Sequence, residues 1–204
     1  MALTINPNDP RLMDRINHLL PTHGYCVFID MAGSTAAKDA RLSTWIIHIY
    51  NVFANVLSFI PSIFQPIKCL GDGLMFFIPN AQLRGETPLT LFDSLVNIAV
   101  SNEEFIKPVR IGAAFCREAY EITFFPDYPD IYGKDIDLTA RLASIAKPQE
   151  IVMNADYVSK LREEYARILN KHQFPDVPNI IGPVAENLKG FGEPVNIYRS
   201  RRPE

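Results

Sequence analysis

Three observations predict an α+β fold with a mixed, mostly antiparallel sheet and packed helices. Helical and strand-like segments are interleaved without the strict alternation that builds an all-parallel sheet. Two apolar runs are joined by Gly71-Asp72-Gly73, a strong hairpin signal. The chain has 204 residues, 48% of them hydrophobic and 21% charged, which suits one globular domain with an ordinary core. No repeat, low-complexity run or flexible linker divides the sequence, so residues 1–204 are read as a single domain.

Each element has its own local signal. Residues 24–31 form a short apolar strand, bounded by glycine and a small-residue turn. A long helix follows over Arg41–Ile60, with Asp39 or a nearby hydroxyl as its cap. Its polar residues Arg41, Thr44, His48, Asn51, Asn55 and Ser58 recur in steps of three and four, giving one polar stripe on an apolar cylinder. A lipid-facing span would not carry such a stripe along its length, so the helix is expected to pack on a sheet, and also against another subunit. Strands Ile67–Leu70 and Leu74–Ile78 make the hairpin. A helix is expected over about 88–105, with Thr87 as cap and Pro88 in the first turn. Val109–Phe115 and Glu121–Phe125 read as two strands, and Asp135–Ala146 as a helix stopped by Lys147-Pro148. Glu150–Met153 is a short strand, Ala155–Asn170 a helix, and NLKGFGEPVNIYRS a closing two-stranded hairpin.

Composition excludes several classes. A net charge of −3 gives no global attraction to nucleic acid or acidic membranes. Cys26, Cys69 and Cys116 are dispersed in apolar runs, which reads as buried reduced thiols rather than a zinc site or a disulfide frame. The N-terminus shows no signal peptide, so a soluble cytoplasmic protein is expected.

Asp30 and Asp72 pose the chemical question. In YCVFIDMAGST an apolar strand ends in a carboxylate, and burying that charge is costly unless a cation neutralises it. Alone, Asp30 reads as a helix cap and Asp72 as the polar residue of a turn. If the first strand pairs with the hairpin, both carboxylates reach one point. Two carboxylates with a backbone carbonyl, water and phosphate oxygens suit Mg²⁺ or Mn²⁺.

In chain order, YCVFIDMAGST, KCLGDGLMFF, DIYGKDIDLTARLASIAKPQEIVM and NLKGFGEPVNIY resemble the four motifs of class III nucleotidyl cyclases, the adenylyl and guanylyl cyclase family. The likeness spans about residues 23–199 and implies a ferredoxin-like cyclase domain. It makes Asp30 and Asp72 ligands of two divalent metal ions, Mn²⁺ or Mg²⁺, with the backbone carbonyl of Met31. Arg141 matches the arginine that stabilises charge on the phosphate, Lys189 a triphosphate lysine, and Arg117 a further triphosphate arginine. Lys68 and Asp130 match the pair that reads the base in adenylyl cyclases. In this family the metal aspartates come from one subunit and the base pair and arginine from the other, which implies a head-to-tail homodimer with sites between subunits.

Asp137 departs from the pattern, standing where purine cyclases usually have asparagine. Together with DMAGST and DIYGKDIDLTAR, the stand-alone length is similar to the bacterial pyrimidine cyclases of Pycsar anti-phage systems. That resemblance implies a nucleoside triphosphate substrate, UTP or CTP, and a cyclic nucleotide read by a separate effector. Tyr50, on the long helix, is the candidate for excluding a purine by volume. An adenylyl cyclase and a catalytically inactive binding module remain as alternatives.

Overall fold

The computed structural model describes residues 3–34, 41–101, 107–125, 130–173 and 175–200. The elements run β1 (Leu3–Thr4), α1 (Leu12–Asn17), β2 (Thr22–Met31), α2 (Leu42–Phe59), β3 (Pro66–Leu70), β4 (Gly73–Pro79), α3 (Pro88–Val100), β5 (Val109–Thr123), β6 (Ile131–Tyr132), α4 (Lys134–Ile145), β7 (Glu150–Asn154), α5 (Ala155–Ile168), β8 (Ile180–Glu186) and β9 (Val195–Ser200). The main sheet has the order β3-β4-β2-β5-β7-β9-β8, and β1 and β6 pair with β5. Among the described residues only the β5–β7 and β1–β5 pairings are parallel. The mixed, mostly antiparallel α+β sheet is as predicted.

Alternation along β2 divides the core. Tyr25, Val27, Ile29 and Met31 face a layer built from α2, α3 and α5, while Cys26 and Phe28 face α4. On the α4 side, Gly112 is the point of closest approach. A Cβ there would collide with the backbone of Thr139 and Ala143, so α4 rests directly on β5. Thr139 is fully buried, and its hydroxyl is satisfied by donating to the Asp135 carbonyl at 2.7 Å.

The capping chemistry expected for α3 is present in full. Thr87 Oγ1 accepts from the Thr90 N–H at 3.2 Å, and Thr90 Oγ1 accepts from the Thr87 N–H at 2.8 Å. Asn154 plays two parts at the start of α5. Its Oδ1 accepts from Tyr157 N–H at 2.9 Å and Phe115 N–H at 3.1 Å, and its Nδ2 donates to the Phe115 carbonyl, tying α5 and β7 to β5.

Several boundaries differ from expectation. β5 is one 15-residue strand instead of two, because Cys116 to Tyr120 continue the ladder with β2 and then with β6. The C-terminal hairpin begins earlier than predicted: its first strand is β8, and NLKGFGEP is the connecting loop. Gly182 and Pro183 hide that strand in the sequence, and the sheet tolerates them because β8 is an edge with a register shift there. Cys69 is exposed, unlike Cys26 and Cys116, because β3 is the opposite edge. The expected part of α3 beyond Ser101 and the Asp39 cap lie outside the described residues.

Helix α2 packs on the sheet as expected, through Val52 and Val56. Among the described helices it is the one long and apolar enough by length and composition to cross a membrane, with a mean hydropathy of 1.2. Leu42, Ile46, Ile47, Tyr50 and Leu57 are left exposed along it.

Gly112→Val should destabilise the protein by at least the ~1–3 kcal/mol of an overpacked core. Gly192→Ala, where a Cβ meets nothing within 4 Å, should be near neutral. Urea denaturation of both variants is the measurement.

Candidate active site

Asp30 is the penultimate residue of β2, opposite Gly73 on β4 and Arg110 on β5. This register sets the carboxylate beside the Arg110 guanidinium, with which it forms a hydrogen-bonded ion pair. It also brings Asp30 beside Asp72, since Gly71 at φ 67° turns the β3–β4 hairpin tightly and Gly73 pairs with Asp30. Burial raises the pKa of the Asp30 carboxyl above its ordinary value; Arg110 pulls it down, and the neighbouring Asp72 pushes it up again. Two carboxylates thus stand side by side at the end of β2, and burial together with the neighbouring Asp72 outweighs Arg110 in setting the Asp30 pKa. Hard oxygen donors in that arrangement fit a Mg²⁺ or Mn²⁺ ion whose remaining ligands come from water and phosphate. Met31, the last residue of β2, has a fully buried side chain, so its backbone alone could serve such an ion. Among the described residues no group of three or more His, Cys, Asp or Glu converges.

Lys68 and Asp130 meet at a second place. Lys68 Nζ lies 2.5 Å from Asp130 Oδ2 and 5.0 Å from the ring centre of Tyr132. They line a cavity of about 840 Å³ with Tyr132, Phe124, Phe125 and Glu121. Burial alone would raise the Asp130 pKa, but hydrogen bonds from Lys68, the Tyr132 hydroxyl and the Ile131 N–H outweigh it and hold it below the ordinary value. Neither Asp30 nor Asp72 lines this cavity.

The other predicted residues do not line it. Asp137 and Arg141 lie one turn apart on the exposed side of α4. Lys189 is exposed in the β8–β9 loop, which is held against the start of α4 by Lys134, 5.8 Å over the Phe191 ring. Arg117 makes a two-pronged contact with Asp156, its Nε 2.9 Å from Oδ2. Tyr50 is 72% exposed on α2 and does not line the cavity of its own chain.

Sequence reasoning missed Arg110 and Tyr132. A signal for Arg110 existed: an arginine inside the apolar strand Val109–Phe115 needs a carboxylate, and Asp30 needs a cation. The ring contacts of Tyr132 gave none, because Lys68 comes from β3 and Phe124 from the residue after β5.

Lys68→Met should raise the Asp130 pKa from its lowered position, read by NMR titration of the carboxyl carbon. A carboxyl lowered in the folded state stabilises the fold above its unfolded pKa, and that contribution is lost as pH falls through the folded value. The stability gap between wild type and Lys68→Met should therefore narrow in acid.

No family model and no curated protein sequence matches this chain. Solved structures do match. The adenylyl cyclase CyaB from P. aeruginosa superposes with a TM-score of 0.69 at 16% identity, covering 92% of this chain and 97% of that one. An adenylate cyclase from Trypanosoma brucei in its monomeric state gives 0.69 at 15% identity, covering 91% and 92%. The guanylate cyclase domain of RhGC from Catenaria anguillulae, in complex with GTP, gives 0.64 at 10% identity, covering 90% and 98%. The chain therefore has the fold of adenylyl and guanylyl cyclase catalytic domains.

Proposed function

We propose that this protein is a nucleotidyl cyclase acting on a pyrimidine nucleoside triphosphate, UTP in preference to CTP. The observation that carries the reading is the Asp30–Asp72 pair, two carboxylates brought side by side at the end of β2 and the β3–β4 turn. Divalent ions, Mn²⁺ or Mg²⁺, would supply activation of the ribose 3′-hydroxyl and neutralisation of the triphosphate. Asp30, Asp72 and the Met31 carbonyl would hold them. The 3′-oxygen attacks the α-phosphorus in line and loses its proton to water, and pyrophosphate leaves.

Arg141 would stabilise charge developing on the α-phosphate, Lys189 and Arg117 would hold the outer phosphates, and Asp137 would orient the ribose. Lys68 would donate to the base and Asp130 would accept from it. The base-reading pair and the metal carboxylates occupy separate places in one chain, which supports a homodimer in which each site draws on both subunits. The exposed apolar stripe of α2 supports the same assembly, with the partner's Tyr50 narrowing the base cavity. The cytoplasmic product, a 3′,5′-cyclic pyrimidine nucleotide, would act as an anti-phage signal on a separate effector. A second reading, adenylyl cyclase, is favoured by the Lys68–Asp130 pair in a cavity of about 840 Å³.

Incubation with Mn²⁺ and each of ATP, GTP, CTP and UTP, with products identified by mass spectrometry, tests this directly. Cyclic UMP above cyclic CMP is the expected result. Cyclic AMP alone would establish the second reading, and no product with any nucleotide would leave a binding module.

Arg141→Ala should lower kcat by about 10²–10³, the cost of removing one charge-stabilising donor, and Asp72→Ala should abolish turnover. Mixed together, the two variants should regain about a quarter of wild-type activity, since random pairing makes half the dimers mixed and each carries one intact site. Ile46→Asp should yield a folded, inactive monomer in sedimentation velocity with an unchanged far-UV CD spectrum.

A further inference from the structure

The two oxygens of Asp30 face different neighbours, and this carries a further inference that rests on the metal site of the cyclase reading. Oδ2 accepts a hydrogen bond from Arg110 Nη2. Oδ1 faces the β3–β4 hairpin: a Cβ placed on Gly73, the residue after Asp72, would lie 3.6 Å from it. One oxygen is therefore turned toward the strand that leaves Asp72, and the other is held by a cation.

The sheet decides that Arg110 serves Asp30. Arg110 lies opposite Asp30 on β2 and opposite Glu150 on β7. Directly opposed residues of neighbouring strands share a face, so the three charged side chains form one row. Glu150 has other partners: its Oε2 accepts from Arg199 Nη1 at 2.8 Å and from the Lys147 N–H at 2.8 Å. The hold on Asp30 is light. Both side chains of the pair are 32% exposed, where an ion pair contributes little to stability. The buried Arg110 Nε has no hydrogen-bond partner among the described residues. Arg117, by contrast, grips Asp156 with two donors at once. Arg110 uses one arm, and one bond has to break for it to let go.

We propose that Arg110 is a positioning residue of the metal site, whose guanidinium holds Asp30 Oδ2, leaves Oδ1 to the side of Asp72, and competes with a divalent cation for the carboxylate. An ion held by Oδ1 and Asp72 meets a unit positive charge on the far oxygen of the same carboxylate, and like charges so placed repel. An ion that takes both oxygens has to displace Arg110. Either way the arginine weakens the hold of the acidic pair on the ion, while fixing the orientation of Asp30.

Titration of the purified protein with Mn²⁺ alone, the free ion counted by electron paramagnetic resonance, tests this without turnover. Arg110→Met should bind Mn²⁺ about tenfold more tightly than wild type, the worth of removing one unit charge from beside a divalent ion even at the dielectric of water. Arg110→Lys keeps the charge and should return the affinity close to the wild-type value. A merely structural arginine would give the opposite sign, since its loss would loosen the site. Arg110→Gln, closer to arginine in shape, carries the same expectation as Arg110→Met and replaces it if the methionine variant loses its far-UV CD spectrum. Asp72→Ala serves as the control and should lose Mn²⁺ binding. Affinity in folded Arg110→Met or Arg110→Gln equal to or below wild type, with binding still lost in Asp72→Ala, would overturn the role of Arg110 and leave the metal site standing. If wild type binds no Mn²⁺, or Asp72→Ala binds it as wild type does, the metal-site reading falls and this assignment with it.

Discussion

The register of β2 between β4 and β5 is the constraint on which the rest of the structure depends. One set of alternate residues, Tyr25 to Met31, anchors the layer of α2, α3 and α5. The other set places Asp30 on the α4 side, opposite Gly73 and Arg110. A slip of one residue would exchange the two sets, setting a carboxylate against the larger core and turning Tyr25 toward α4. Burial on both faces forbids that slip. Core packing and the position of the acidic pair are thus consequences of the same pairing.

Neither charge pair is well explained as a source of stability. Lys68–Asp130 and Asp30–Arg110 are partly exposed, where ion pairs contribute little. For Asp30 the balance is unfavourable, since burial and Asp72 outweigh Arg110. Such a carboxylate at the end of a core strand is what the proposed metal site would require.

Much of this was legible in the sequence wherever the signal was local. Gly71-Asp72-Gly73 gave the hairpin, Thr87-Pro88 the start of α3, and the run from Asp135 the helix α4. Asp30 stood out because it breaks an apolar strand at its end. The illegible parts depend on partners distant in the chain. β8 contains a Gly-Pro that argues against a strand unless its edge position is known. The short α1 buries no residue, so no periodicity announces it. Arg110 lies 80 residues from Asp30, and Tyr132 becomes meaningful only after β3 and β5 have folded around it. In the proposed homodimer, Tyr50, Asp137, Arg141 and Lys189 would act across two subunits, an arrangement no single chain displays.

The contact at Gly112 reaches beyond stability. With no side chain between them, α4 and β5 meet backbone to backbone, and the helix has no cushion on which to roll or slide. Asp137 and Arg141 ride on that helix, while Asp30 and Arg110 sit on the sheet beneath it. Within one protomer the spacing between these groups is as fixed as the sheet itself. If each site is shared between two protomers, its geometry then has one soft coordinate, the rotation of one rigid body against the other. An activator of such a dimer would need only to turn that hinge.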